Sequence, residues 1–341
     1  MLHDKAIKAM HGLLQKLYRY NSCDPKVMLD VFDKMIMPIA LYNSEIWGTM
    51  CFPVNEKNLD LMEVSPQKNP VEDIQIRFCK RLLGVNDKST NWAVTSELGR
   101  LPTISLIADR MVKFWSHLIQ SSSPILREAL QVNINLDACG KRVWFTVLRR
   151  CLSHLGIDHV LYTSDPKEIS YQVTKTKSIL RSRALEKWHE KHASLRESTS
   201  SKLHLYSLTK SKFGYEGYLS SCTKHKARGS LTKVRISAHN MPIEVGRYMG
   251  MDRSHRVCPF CSAESGDEEH YLCVCPDPLF LSKRTPLFGH FENICPGFLD
   301  SPSKQRVIMM LSSTNQNAIS KISNFCQHIL EIFREFNTRS V

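Results

Sequence analysis

The chain has 341 residues, 42% of them hydrophobic, with a formal net charge of +13 and 12 cysteines. That is enough apolar material for a real core and for two or three domains. It excludes a disordered acidic chain, and the basic excess favours phosphate-rich partners through counterion release.

In chain order, Ile7, Met10, Leu13, Leu14 and Leu17 share one face of a helix predicted over residues 5–20. Asp24-Pro25 pairs an N-cap with a proline at the first helical position. The run 27–47 is apolar nearly all round, as in a buried helix, and Pro38 should kink or divide it. Residues 53–70 read as a short helical piece and a loop. A helix over 71–83 carries Ile74, Phe78 and Leu82 on one stripe and stops at Gly84. Ser89-Thr90 caps a short helix that ends by Gly99. Helices follow over 103–119, 124–132 and 141–155, the last stopped by Gly156. The class is mainly α.

From Asp165 the texture becomes rich in Ser, Thr and Lys, which places a boundary near 160. Residues 168–195 scan as a long basic helix, and 198–228 as irregular. A small unit organised by a metal is expected over about 230–290. Ile319, Ile322, Phe325, Ile329, Phe333 and Phe336 mark a C-terminal amphipathic helix. The blocks are then 1–160, a basic helix and linker over 161–229, and 230–341.

The first residues are polar and basic rather than a secretory signal, and no run approaches the ~18 apolar residues of a membrane helix. The expectation is an intracellular protein of nucleus or cytoplasm, without a membrane partner. In a reducing compartment, clustered cysteines point to metal ligation rather than disulfides.

The cluster is Cys258-Pro-Phe-Cys261, then His270 and Cys275. Two thiolates two residues apart grip one metal from a tight turn, and a His and a Cys from the next segment close a tetrahedron. Such a Cys3His set leaves no open position, so the expected Zn2+ is structural. Cys273 competes with Cys275, which the H-x4-C spacing favours, and His255 competes with His270. Asp267-Glu268-Glu269 reads as a polar turn leading to His270.

Between Lys167 and Arg235 the chain holds 16 Lys plus Arg against 5 Asp plus Glu, so about a fifth of its length carries +11 of the +13. Lys175, Lys177, Arg181 and Arg183 fall close together on the predicted helix and are candidates to track a nucleic-acid backbone. Tyr215 and Tyr218 are candidates to stack on unpaired bases of RNA or DNA. The competing reading is a solvated helix face with its aromatics in a core, Trp188 above all. No catalytic residue is identified: there is no Asp-Asp pair, P-loop, HExxH or GxSxG, and no carboxylates suited to two-metal nucleotidyl transfer.

Several blocks resemble one known family. Residues 5–9 and the run Phe32-Asp33-Lys34-Met35-Ile36-Met37-Pro38 through Tyr42-Asn43-Ser44-Glu45-Ile46-Trp47-Gly48 are similar to the segment that follows the palm in non-LTR (LINE-type) retrotransposon reverse transcriptases. Phe78-Cys79-Lys80-Arg81-Leu82-Leu83-Gly84-Val85 and Val94-Thr95-Ser96-Glu97-Leu98-Gly99-Arg100-Leu101-Pro102 resemble its next two blocks. Residues 235–239, 242–248, 258–261 and 269–276 resemble its C-terminal block with a CCHC zinc knuckle. The resemblance implies a helical thumb- or connection-like domain, a zinc-organised unit binding RNA or DNA, and a C-terminal helix. Cys258, Cys261, His270 and Cys275 carry over as ligands. The catalytic aspartates and any endonuclease would lie upstream of Met1, as in a 5′-truncated element, so the chain is expected not to be an enzyme by itself. The alternative is a domesticated zinc-binding protein acting through protein contacts.

Overall fold

The computed structural model describes residues 2–18, 24–52, 69–163, 165–263 and 265–339. The protein is mainly helical, and the described residues hold no named strand, only an isolated bridge between Leu98 and Tyr215. In chain order the α-helices are α1 (Leu2–Tyr18), α2 (Pro25–Met35), α3 (Met37–Ala40), α4 (Ser44–Trp47), α5 (Pro70–Leu83) and α6 (Asn91–Glu97). Then come α7 (Ile104–Gln120), α8 (Pro124–Ala138), α9 (Trp144–Leu155), α10 (Pro166–Glu197), α11 (His204–Thr209) and α12 (Tyr218–Ser221). The last are α13 (His225–Arg235), α14 (Pro242–Tyr248), α15 (Pro278–Ile294), α16 (Ser303–Leu311) and α17 (Gln316–Arg339).

The local signals act where the residues predict. The Asp24 carboxylate accepts from the Lys26 N–H at 2.8 Å and caps α2. Pro38 sits at the start of α3, after α2 has ended at Met35. Gly84, Gly99 and Gly156 all take left-handed φ angles just past helix ends. At Gly99 the glycine is required twice over: φ is +66°, and an added Cβ would stand 2.7 Å from the Tyr215 nitrogen. The piece expected within 53–70 falls almost wholly outside the described residues.

Contacts divide the chain into two compact units. The first comprises Met1–Leu14, Asp30–Ile76 and Leu101–Lys191. Its core gathers Phe32, Phe78's helical neighbours Val71 and Ile74, Ile107, Met111, Trp115 and Leu148. The Trp144 indole N–H donates to the Glu45 carbonyl at 2.7 Å, and a Cβ at Gly48 would overlap Ile107. The second unit comprises Gln15–Leu29, Arg77–Arg100 and His192–Val341. Each unit is built from segments distant in sequence, whereas the blocks 1–160, 161–229 and 230–341 rest on composition along the chain.

Two expectations need correction. Residues 198–228 are not irregular: they hold α11 and α12, and Leu203, Tyr206, Lys210, Tyr218 and Leu219 are buried. The segment 278–311, to which the sequence pattern assigns no element, forms α15 and α16, with Pro286 inside α15. The C-terminal helix packs Ala318, Ile319, Ile322, Phe325, Ile329 and Phe333 into the core against α13 and α15. All of its apolar stripe but Phe336, which is exposed, is thus used inside the unit.

Candidate metal centre and cationic surfaces

Cys258 and Cys261 lie in a tight knuckle. The Ser262 N–H donates to the Cys258 carbonyl at 2.9 Å, and the Cys258 N–H to the Ala263 carbonyl at 2.9 Å. Ser262 turns the chain with φ of 58°. His270 opens a single π-helical turn, His270–Val274, that ends at Cys275. The Cys275 N–H reaches back to the His270 carbonyl at 2.7 Å, which brings both side chains to one side.

The four donor atoms all lie within 4.8 Å of one another and can hold a metal ion. Cys258 Sγ and Cys275 Sγ are 3.9 Å apart, Cys275 Sγ and Cys261 Sγ 3.9 Å, and Cys261 Sγ and His270 Nε2 3.3 Å. A tetrahedral ion with metal–sulfur bonds of about 2.3 Å spaces its sulfurs by about 3.8 Å. The donors therefore stand on the edges of such a tetrahedron. The competition between ligands resolves on geometry: Cys273 is buried but outside the cluster, and His255 is exposed and outside it.

The surroundings act unequally on the donors. Burial raises the Cys258 thiol, but the neighbouring Tyr271 side chain and the backbone N–H groups of Phe260 and Cys261 outweigh it and hold the pKa below the ordinary value. Burial pushes Cys275 up to about 12 while it is a free thiol, and depresses His270 toward the neutral imidazole that binds metals. Cys273 is also pushed to about 12 by burial, as an inert core thiol. Arg284 Nη2 donates to the Cys275 carbonyl at 2.6 Å.

The acidic triplet proves to be scaffolding. Asp267 accepts from the His270 N–H at 3.0 Å, and Glu268 accepts from Ser237 at 2.7 Å and pairs with His239 at 2.8 Å. Glu269 accepts from the Ser303 hydroxyl. Behind the knuckle, Phe260 packs edge-on against Phe280 and Phe333 at 5.2 and 5.6 Å, and Tyr271 against Phe333 at 4.7 Å. These rings, rather than the four donors, tie the knuckle to α15 and α17.

No family model matches the sequence, and searches of curated proteins and of solved structures return no match.

The candidate nucleic-acid residues fare unevenly. Lys175, Lys177, Arg181 and Arg183 are exposed on α10. At 100° per residue, however, Lys175 and Lys177 point about 160° apart, as do Arg181 and Arg183, so the four do not form one stripe. Lys177 and Arg181 are successive turns of one face, and among the described residues neither has an ion-pair partner. Arg183 pairs with Glu186 at 3.4 Å, and the Lys175 ammonium lies 4.0 Å over the exposed Tyr171 ring. Tyr218 is a correction: it is 5% exposed, its hydroxyl is 2.8 Å from that of Thr232, and the Arg235 guanidinium lies 5.0 Å from its ring. No base can stack there. Tyr215 is half-buried and its hydroxyl is 2.9 Å from that of Ser220, with burial raising its pKa to about 12. Trp188 and Tyr206 are buried as well.

Several cations of the basic stretch are internal. Arg235 is 1% exposed at its side chain and bonds the fully buried Glu97 at 2.7 Å and Glu216 at 3.0 Å. Lys210 bonds Glu216 at 2.7 Å, and Arg228 donates to the Cys222 carbonyl at 3.1 Å. Lys233 and Arg334, by contrast, face one cavity with Lys226. No local sequence pattern marks this group, because Lys233 on α13 and Arg334 on α17 are far apart in the chain. Among the described residues no helix is long and apolar enough to cross a membrane.

Proposed function

We propose that Cys258, Cys261, His270 and Cys275 hold a structural zinc ion, and that the chain is a non-catalytic nucleic-acid-binding module of the kind found at the C-terminus of non-LTR retrotransposon reverse transcriptases. The donor set carries this reading. Three thiolates and one imidazole at tetrahedral separations suit zinc better than magnesium or calcium, which take oxygen ligands. All four positions are filled by protein, so no site remains for a substrate or an activated water. The ion's contribution is folding energy: it joins the two segments of the knuckle, residues 258–261 and 270–275.

The nucleic-acid part rests on the basic balance, on the unpaired Lys177 and Arg181 face of α10, and on the order of the blocks that resemble the retrotransposon family. The burial of the α17 stripe weighs against the reading as a protein-contact module. Atomic absorption should find one zinc per chain in the parent and none in Cys258→Ser. Binding of a single-stranded RNA or DNA should weaken steeply with salt. Lys177→Gln/Arg181→Gln should lower the log–log slope by about 1.4–1.8 if each charge meets one phosphate. Equal zinc content in parent and Cys258→Ser removes the metal assignment. Equal slopes in parent and double variant remove α10 from the interface.

A further inference from the structure

Two of the cavities formed by described residues of the second unit mix cations with carboxylates, and they differ in one respect. The first is lined by Lys202, Arg247, Arg253 and Lys304 together with Glu244 and Asp267. Three of its cations are already neutralised: Lys202 reaches Glu244 at 2.7 Å, Arg247 bonds the same carboxylate, and Arg253 lies 3.9 Å from Asp267. The second cavity, of about 430 Å3, opens between α13 and α17 beside the turn that follows α5. Lys226 and Lys233 enter it from α13 and Arg334 from α17, with Asn86 on the rim. Its only lining carboxylate among the described residues is Glu331, which accepts from Gln327 at 2.9 Å and makes no ion pair with any of the three cations.

The arrangement costs the folded protein something that water alone does not return. Lys233 is half-buried, and burial first, then the charge of Arg334, pull its pKa below the ordinary value. Nor does the wall behind supply a counter-charge. His239, which lines the cavity, gives its Nε2 to Glu268 at 2.8 Å, so that carboxylate is already paired. The close approach that makes the cavity is itself built in. Gly229 lies against the end of α5, where an added Cβ would meet the Leu83 carbonyl at 3.4 Å. Three cations converging on one concave site, against the single carboxylate of Glu331 that pairs with none of them, are complementary to a multiply charged anion with several acceptor oxygens.

The geometry points to a phosphate-binding site in this cavity, with Lys233 and Arg334 as its ligating cations and Lys226 at its mouth. A phosphate there neutralises the repulsion between α13 and α17 and so braces the two helices. Its source is either a nucleic-acid backbone or a small phosphorylated molecule. The inference rests on the nucleic-acid reading only for the first of these; inorganic phosphate tests the site without it.

The test uses the full chain with its metal. Inorganic phosphate should shift the amide resonances of Gly84, Gly229 and Asn240 saturably, and Lys233→Gln/Arg334→Gln should abolish the shifts while zinc content stays unchanged. A fluorescent single-stranded oligonucleotide should move the same resonances, and its log–log salt slope should fall by about 1.4–1.8 in the double variant. If phosphate shifts the resonances but the oligonucleotide does not, the site stands and its ligand is a small phosphorylated molecule. Should the double variant not fold, Lys226→Gln and Arg334→Gln carry the comparison, both side chains being exposed. Failure of phosphate to perturb these residues in the parent overturns the proposal, as does undiminished phosphate binding by the variants. Loss of zinc in Cys258→Ser, or an unchanged slope in the α10 variant, bears only on the preceding reading.

Discussion

Arg235→Leu should be among the most damaging single substitutions in the second unit. In the parent the guanidinium bonds Glu97 at 2.7 Å, Glu216 at 3.0 Å and the Leu311 carbonyl, all in a setting where its own side chain is 1% exposed. Leucine removes all three. Glu216 is 24% exposed and keeps Lys210 at 2.7 Å, so water and that ammonium compensate it. Glu97 is fully buried, so water does not reach it, and the charge of Lys210 acts on it without an ion pair. Truncating one partner of a buried pair costs about 3–5 kcal/mol, and the burial of Glu97 places this case toward the upper end. With a urea slope of about 3 kcal/mol per M, the midpoint should fall by about 1 M or more. Hydrogen exchange in peptides covering α6 and α13 localises the loss. The pH dependence gives a sharper check. In the parent, burial raises the Glu97 carboxyl but Arg235 and Lys210 outweigh it, so its pKa lies below the ordinary value. Its contribution is present above the unfolded pKa of about 4.3 and is lost on acidification through the folded value. Without Arg235, burial prevails and the folded pKa rises above the unfolded one. The contribution is then retained at low pH and lost as pH rises, so the variant's deficit should shrink from about pH 7 to about pH 5. A midpoint change under about 0.3 M, or a deficit that grows on acidification, would refute the assignment of Arg235 as the counter-charge of Glu97.

Cys275→Ser should lose the metal while Cys273→Ser retains one ion per chain by atomic absorption, because only Cys275 stands with the other donors. Gly99→Ala should destabilise by about 1–2 kcal/mol for its left-handed backbone, with a further overpacking cost of about 1–3 kcal/mol against Tyr215, read by urea denaturation. Tyr218→Phe should cost about 1 kcal/mol through loss of the contact with Thr232 and leave oligonucleotide affinity unchanged. A clear drop in affinity at unchanged stability would return Tyr218 to the interface.

What the sequence discloses and what it hides follow from one distinction. Local chemistry is legible: Asp24 as a cap, Gly84 and Gly99 as stops, and the α17 stripe at three- and four-residue spacing all act within a turn or two of themselves. The knuckle is legible for the same reason, since its ligands span only residues 258–275. The α15 pattern is disguised. Phe280, Arg284, Leu287 and Phe291 are its buried residues, so an arginine occupies a core position, and Pro286 interrupts the helix on paper. In 198–228 the buried Ser207, Thr209 and Lys210 read as surface, because what buries them lies elsewhere in the chain. His192, for instance, meets the Lys210 carbonyl at 2.7 Å.

The same distinction changes what the basic stretch means. As a string, residues 167–235 concentrate the excess charge of the chain, and Lys175, Lys177, Arg181 and Arg183 are its candidates to track a nucleic-acid backbone. In the fold, Lys210, Arg228 and Arg235 are spent inside the second unit, and Arg235 joins two of the blocks on which the family resemblance rests through Glu97. Ser237 and His239 join the same block to Glu268, next to the metal knuckle. The charged positions of those blocks thus hold segments together rather than meet a ligand. The charges left for a polyanion include Lys177 and Arg181 on α10, and Lys226, Lys233 and Arg334 around the cavity, none of them in an ion pair among the described residues. Arg334 lies outside the basic stretch altogether. Counting charges along the chain therefore overstates the stretch and misses a partner that only folding supplies.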